Sequence, residues 1–197
     1  MAIVEYKPRR LPGPWLAGYA LDVHTLGSVM IGHNQYGHPE FETSRSNVGE
    51  LLYQLKYRHD KTAIEPLADT AADFVGSRWK LSLNAIIPVP PSNSRIIQPV
   101  MVVAEALSER LGVLLCKTCL TKVKQTPQLK DITDYHSRKE TLADAFTVAA
   151  KMTTEKNVLL FDDLYGSGAT VSHIVDVLQN QGRVRAVYLL TLTTKSK

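Results

Sequence analysis

Three short apolar runs stand out along the chain, and each of them predicts a buried strand. They lie at residues 84–89 (NAIIPV), 158–161 (VLLF) and 186–193 (AVYLLTLT). Runs of this length without a polar face are typical of parallel strands that are covered on both sides. Amphipathic stretches separate the runs, and strands that alternate with helices predict an α/β fold with a mostly parallel sheet.

The helical spacing of apolar residues predicts helices at 47–58, 64–75, 99–111 and from 170 onward. We expect Asn47 and Glu50 to cap the first of these helices. Gly76 and Gly112 should end the second and the third, because glycine readily adopts the left-handed conformation that often follows a helix.

Weaker patterns cover the N-terminal part of the chain. Residues 1–15 are rich in proline and arginine and predict an extended arm. Residues 15–31 alternate loosely between apolar and polar side chains, which predicts a hairpin or two short strands. Residues 32–45 are polar and contain glycine, so we expect a loop. The chain is therefore divided into an N-terminal arm with a strand subdomain (1–45) and a core (46–197).

Between the first and second apolar runs, beyond the helix predicted at 99–111, the pattern is mixed. Residues 113–120 and 146–148 predict strands. Residues 121–145 are polar and show little periodicity, and connections of this length inside a compact domain usually serve as a lid over a site or are disordered.

Composition narrows the function classes only slightly. The chain has 197 residues, a net charge of +4 and a pI of about 9.0, which suits anionic small molecules or nucleic acid. No apolar run approaches the length of about 18 residues that a membrane span needs, and the first residues do not resemble a signal peptide. Cys116 and Cys119 are too few for a disulfide scaffold and form only half of a zinc site, so we expect a cytosolic protein without metal or redox chemistry at these cysteines.

Candidate chemistry concentrates in residues 158–178 (VLLFDDLYGSGATVSHIVDVL). Asp162 and Asp163 are placed where the buried strand ends, and a loop of small residues follows before the next helix. Carboxylates accept hydrogen bonds from hydroxyl groups, and the N–H groups of a glycine-containing loop at a helix start bind anions. A ribose 5-phosphate carries both kinds of group.

This order of strand, acid pair, small-residue loop and helix resembles the phosphoribosyl pyrophosphate (PRPP) motif of type I phosphoribosyltransferases. The resemblance implies a Rossmann-like parallel sheet with a small N-terminal hood, PRPP as substrate and Mg²⁺ as cofactor. Three further segments resemble the ComF family of phosphoribosyltransferase-like proteins: 49–60 (GELLYQLKYRHD), 85–95 (AIIPVPPSNSR) and 126–146. The chain lacks that family's N-terminal zinc module. Gly166 also stands where some purine-salvage enzymes have an acid that acts as the base.

The resemblance implies a role for each part of the site. Asp162 and Asp163 would bind the ribose hydroxyls and Mg²⁺, and Asp163 and Arg138 are the candidate catalytic residues. Lys122, Lys124 and Arg138 would close over the pyrophosphate as a lid. The residues expected to hold the 5-phosphate are Tyr165, Gly166, Ser167, Gly168, Ala169 and Thr170. Those expected to hold the pyrophosphate are Val89, Pro90, Pro91, Ser92 and Arg95.

The function implied is a Mg²⁺-dependent displacement of pyrophosphate from PRPP by an amine or a nucleobase. Two alternatives remain: a ComF-type competence protein that binds single-stranded DNA, and a PRPP or nucleotide sensor without turnover. A homodimer is left open, and no membrane partner is expected. The cations that suit a DNA partner are Lys7, Arg9, Arg10, Lys56, Arg58 and Lys61.

Overall fold

A parallel sheet forms the centre of the protein. The computed structural model describes residues 1–79, 82–92, 95–123, 145–148, 156–182 and 184–196. The strands of this part are β1 (Arg9–Arg10), β2 (Ala17–Val23), β3 (Thr25–His33), β4 (Pro39–Arg45), β5 (Ala85–Pro88), β6 (Leu114–Leu115), β7 (Leu120–Lys122), β8 (Phe146–Val148), β9 (Asn157–Tyr165) and β10 (Ala186–Thr194). The α-helices are α1 (Asn47–Tyr53), α2 (Ile64–Arg78), α3 (Pro99–Leu111) and α4 (Ala169–Asn180).

Six strands make up this sheet, in the order β1-β2-β10-β9-β5-β6. Strands β2, β10, β9, β5 and β6 are parallel to their neighbours, and β1 is an antiparallel edge strand. The α/β fold with a mostly parallel sheet is therefore confirmed.

Both faces of the sheet are covered, as the continuous apolar runs predict. In β9, Leu159 and Phe161 pack with α1, α2 and α3 in one apolar cluster. Val158 and Leu160 point to the opposite face and pack with α4 in a second cluster. These four side chains are fully buried, so β9 is the central element that carries both layers of the core.

The N-terminal region differs from the prediction. Strands β2 and β3 do not form a hairpin, because β2 pairs with β10 in the main sheet. Residues 32–45 are not only a loop, since β4 occupies Pro39–Arg45 and pairs with β3 in a separate antiparallel ribbon. The strands assigned to an N-terminal subdomain thus lie partly within the main sheet, and a domain boundary at residue 45 stays a prediction.

Several helix and strand ends also differ. Ser46 rather than Asn47 caps α1, since its hydroxyl accepts from Gly49 N at 3.0 Å. Helix α2 passes through Gly76 to Arg78, whereas α3 ends before Gly112 as predicted. Residues 113–120 hold two short strands, β6 and the start of β7, separated by a turn that a Cys116–Cys119 disulfide closes. The prediction of one continuous strand over residues 113–120 is therefore wrong.

Across the part of the chain that the structure describes, no helix combines the length and the apolar character needed to span a bilayer.

Candidate functional site

The acid pair lies inside β9 and not after it. Strand β9 continues to Tyr165, so both aspartates belong to the strand, in contrast to the prediction. The difference follows from the lengths of the neighbouring strands. Pairing with β5 stops at Phe161, while pairing with β10 continues to Tyr165. The two acids therefore stand beside the gap that opens where β5 ends, at the carboxyl edge of the sheet where α/β proteins bind ligands.

The environment of Asp162 disfavours its charged form. Burial raises the pKa of Asp162 to about 8, the negative charge of Asp163 adds to the shift, and Lys56 opposes it. The residue nevertheless keeps some contact with solvent. Its Oδ1 accepts a hydrogen bond from the backbone N–H of Asp163 at 2.8 Å. Successive side chains of a strand point to opposite faces, but the negative charge of one of these partly buried aspartates still disfavours the charged form of the other.

Asp163 already has a cationic partner. Lys56 Nζ lies 2.8 Å from Asp163 Oδ2, and the two side chains are 13% and 19% exposed. The backbone carbonyl of Asp163 accepts a hydrogen bond from the Thr193 hydroxyl at 3.2 Å, which ties this end of β9 to β10. The acid pair is therefore partly neutralised by a lysine that is 107 residues away along the chain.

The segment that carries Lys56 has an unusual backbone. After α1 the chain forms a π-helical turn over Gln54–Arg58, and the turn ends at His59, which has a left-handed φ of 57°. Short π-helical turns are frequent at functional sites, and a left-handed non-glycine residue is uncommon. Leu55 is fully buried and anchors the turn to the core.

The loop between β9 and α4, predicted to hold the 5-phosphate, leads directly into a helix N-terminus. Gly166 and Ser167 are exposed, and Gly168 adopts a left-handed φ of 80° just before α4 begins at Ala169. The first turn of an α-helix presents backbone N–H groups without helical acceptors, and Thr170 adds a hydroxyl nearby. The Tyr165 hydroxyl donates to the carbonyl of Pro12 at 3.2 Å and also lies against this loop, since a Cβ built on Gly168 would be 2.3 Å from it. The Tyr165 ring stands edge-on to Trp15, with ring centres 6.1 Å apart.

The segment after β5 forms the other side of the gap. Val89 is buried, and its N–H donates to the carbonyl of Phe161 at 2.8 Å, which holds the loop start against β9. Pro90 is half-buried, and Pro91 and Ser92 are exposed. The Arg95 guanidinium lies 5.7 Å from the centre of the Tyr57 ring. The candidate pyrophosphate loop thus touches the turn that carries Lys56.

Of the predicted lid cations, Lys122 is at the end of β7, where burial lowers its pKa. Arg138 and Lys124 lie outside the described residues. The two ends of the intervening segment are close together, because Val123 N donates to Ala145 O at 2.9 Å. The candidate lid therefore leaves and rejoins the fold at one place, next to the β7–β8 ribbon.

Sequence reasoning missed the role of Lys56, which it grouped with the candidate DNA-binding cations. The signal that was present is the Leu55-Lys56-Tyr57 sequence within a segment that resembles the ComF family. Neither helical periodicity nor spacing connects it with Asp163. Lys7, Arg9, Arg10, Arg58 and Lys61 are exposed, whereas Lys56 is not.

Comparison with solved structures finds similar folds at low sequence identity. Adenine phosphoribosyltransferase from Saccharomyces cerevisiae, complexed with an imino-altritol bisphosphate and adenine, is 11% identical over 85% of each chain, with a TM-score of 0.47. Adenine phosphoribosyltransferase from Thermoanaerobacter pseudethanolicus is 13% identical to this chain. The match covers 85% of this chain and 95% of the enzyme, with a TM-score of 0.46.

A third similar structure is glutamine PRPP amidotransferase from B. subtilis, complexed with ADP and GMP. It is 15% identical over 81% of this chain and 34% of its own, with a TM-score of 0.49. At these identities and scores, the similarities carry no argument about activity or substrate. No protein-family model matches the chain, and no curated protein matches it.

Proposed function

We propose that this protein binds PRPP at the carboxyl edge of its sheet and transfers the phosphoribosyl group to a nitrogen acceptor. The observation that carries the proposal is the position of the Asp162–Asp163 pair. It lies between the glycine-containing loop that opens α4 and the loop that follows β5. Hydroxyl acceptors between two candidate anion sites match a ribose with phosphate groups at both ends.

Each part of the ligand then has a binding partner. The residues from Gly166 to Thr170 hold the 5-phosphate at the start of α4, where the helix dipole adds to the N–H groups. The carboxylates accept hydrogen bonds from the ribose hydroxyls. The loop from Val89 to Arg95 and the candidate lid with Arg138 contact the pyrophosphate. Arginine suits this role because its planar guanidinium binds phosphate oxygens in pairs.

In the reaction, the bond between C1 of the ribose and pyrophosphate breaks, and a bond from C1 to the acceptor nitrogen forms. Protein cations next to the pyrophosphate stabilise the negative charge that develops on it. Exclusion of water by the lid prevents hydrolysis at C1. The acceptor is an amine or a nucleobase, and a catalytically inactive PRPP sensor is the alternative for the same site.

The carboxylate oxygens fit Mg²⁺ in type, since this ion takes a few carboxylates together with substrate oxygens. The position of these oxygens suits the ion only after a rearrangement, because Lys56 is in contact with Asp163. In a complex, Asp162 and Asp163 would hold the ion, which would neutralise charge on the pyrophosphate.

PRPP binding to the purified protein, measured by titration calorimetry, tests the site. We expect the Asp162→Asn, Asp163→Asn double variant to lose at least tenfold in affinity, because each substitution replaces a carboxyl oxygen with an amide N–H group, which cannot accept a hydrogen bond from a ribose hydroxyl. Asp176→Asn is the matched control, since Asp176 is exposed on α4. An unchanged affinity in the double variant refutes the site.

Release of pyrophosphate from PRPP, measured over a panel of nucleobases and amines, separates an enzyme from a sensor. Release of pyrophosphate with any acceptor supports transfer of the phosphoribosyl group, provided that the release is lost in Arg138→Ala. Saturable PRPP binding without release of pyrophosphate by any acceptor favours the sensor.

Exposed basic residues favour a second candidate function, binding of single-stranded DNA as the ComF resemblance implies. Arg9 and Arg10 form β1 at the sheet edge, and Arg58 and Lys61 are exposed beyond α1. Binding of an oligonucleotide that weakens steeply with salt is the expected result. The Arg9→Ala, Arg10→Ala double variant should show a smaller salt dependence of oligonucleotide affinity. An affinity that is the same in this variant and in the unchanged protein argues against this function.

A homodimer is also part of the proposal, and the β3–β4 ribbon supports it. The ribbon exposes several large apolar side chains: Leu26, Val29, Met30, Ile31 and Phe41. Exposed apolar patches mark interaction surfaces. Sedimentation analysis should give the mass of two chains, and Val29→Lys should reduce it to one. A monomer at every concentration contradicts this state.

A further inference from the structure

The ion pair between Lys56 and Asp163 gives the acid pair a cation of its own. The N–O distance of 2.8 Å is that of a charge-assisted hydrogen bond. Both side chains are mostly shielded from water, which separates this contact from exposed pairs that contribute little. Removing one partner of a shielded pair leaves an uncompensated charge, which is costly. Lys56 can therefore leave Asp163 only when another cation or hydrogen-bond donor replaces it.

The backbone holds Lys56 in this position from both sides. Buried Leu55 fixes the π-helical turn to the core. Tyr57, the residue after Lys56, packs against the Tyr53 ring at a tilt, with ring centres 5.2 Å apart. The Arg95 guanidinium lies 5.7 Å from the centre of the Tyr57 ring. The His59 N–H closes the turn on the carbonyl of Gln54. The lysine is thus presented to the acids by a shaped turn that also touches the candidate pyrophosphate loop.

We infer that Lys56 is the resident counter-ion of the acid pair and competes with a divalent cation for Asp163. This inference rests on the proposed function for its ligand. When ribose hydroxyls or a metal ion satisfy Asp163, the Lys56 ammonium is released beside the loop that carries Arg95. There it binds the anionic pyrophosphate as a point charge, which is a common role of lysine.

The inference makes metal binding and PRPP binding respond in opposite directions to one substitution. Lys56→Met keeps the length and apolar stem of the side chain and removes the charge. Its Mn²⁺ affinity, measured by electron paramagnetic resonance without substrate, should rise at least tenfold, because Asp163 is no longer occupied. Its PRPP affinity in the presence of EDTA should fall at least tenfold, because a cation near the pyrophosphate is missing.

Arg58→Met is the matched control. It removes a positive charge from the same turn, but Arg58 is exposed. Both affinities should remain near those of the unchanged protein. Lys56→Arg, which keeps the charge, should leave Mn²⁺ binding weak. If Lys56→Met does not fold, Lys56→Gln, which also removes the charge, should show the same rise in Mn²⁺ affinity.

Equal Mn²⁺ affinity in Lys56→Met and the unchanged protein overturns the inference, and so does equal tightening in Arg58→Met. If the unchanged protein binds no PRPP, the proposed function fails. The Mn²⁺ measurement still decides whether Lys56 competes with a divalent cation for Asp163. The two failures are therefore distinguishable.

Discussion

Gly49→Ala, which adds one methyl group, tests how closely α1 packs against the chain between β2 and β3. Gly49 lies in the first turn of α1, where the chain passes close to the junction of β2 and β3. A Cβ built on Gly49 would lie 2.2 Å from the carbonyl oxygen of His24 and 3.1 Å from the Ser46 hydroxyl. The first contact is with the backbone of His24. This backbone is held to the sheet by the hydrogen bond that His24 N–H donates to Thr194 O of β10 at 2.8 Å. The clash cannot be relieved by a rotamer change.

We expect Gly49→Ala to lower the free energy of unfolding by about 1–3 kcal/mol, the usual range for overpacking in a rigid site. The loss is partly offset by the better helix propensity of alanine, which contributes about 1 kcal/mol. Urea denaturation followed by circular dichroism measures the change, and an unaltered slope would show that the unfolding transition is the same. PRPP affinity should fall as well, because α1 leads directly into the turn that carries Lys56.

Gly76→Ala is the matched control. Gly76 lies inside α2, and a Cβ there would meet nothing within 4 Å. The same chemical change should therefore stabilise the protein, by about 0.5–1 kcal/mol. If Gly49→Ala is as stable as Gly76→Ala, the close approach of α1 to His24 is not a constraint, and the reasoning fails.

Three further predictions follow from other sites. The pKa of Asp162 is raised from 3.8 to about 8, so the folded state binds the extra proton and the unchanged protein should lose stability as pH rises from 4 to 8. Asp162→Asn should remove that loss. In urea denaturation its stability relative to the unchanged protein should rise between pH 4 and pH 8, and a parallel pH profile contradicts this. Trp15→Phe should cost about 2 kcal/mol in the same assay, since the buried indole N–H donates to Leu11 O at 2.8 Å; a loss below 0.5 kcal/mol, roughly the lower limit for one hydrogen bond, argues against this contact. Gly168→Ala should cost at least about 1–2 kcal/mol, because Gly168 has a left-handed φ of 80° and a Cβ there would lie 2.3 Å from the Tyr165 hydroxyl. Gly166→Ala, with open space around it, should change little, and equal losses in the two variants refute both reasons.

Local signals were sufficient for the elements that form the core. The apolar runs located β5, β9 and β10 because strands covered on both faces leave no polar position. Pro99 and Gly112 fixed both ends of α3, since each residue has a strong conformational preference at a helix end. The order of these elements was enough to predict a parallel sheet.

Other features depend on partners that are distant in sequence. Strand β4 was mistaken for a loop because its side chains are mostly exposed and its sequence is largely polar. The pairing of β2 with β10 and of Lys56 with Asp163 follows from the folded arrangement alone. Within the candidate site, the acids and the glycine loop were found from local sequence, whereas Lys56, the cation in contact with Asp163, was not.

The position of β2 beside β10 has a consequence for synthesis. The ribosome makes β2 early, but its parallel partner β10 emerges about 170 residues later. At about 5–20 residues per second, the wait lasts on the order of ten to thirty seconds. Throughout this time Leu21, fully buried in the finished fold, lacks the neighbouring strand. The β3–β4 ribbon also lacks its anchor, because that anchor is the hydrogen bond from His24 N to Thr194 O. Nascent chains stalled before residue 186 should therefore be bound by chaperones and cut readily in their first 45 residues, and release of the last strand should end both.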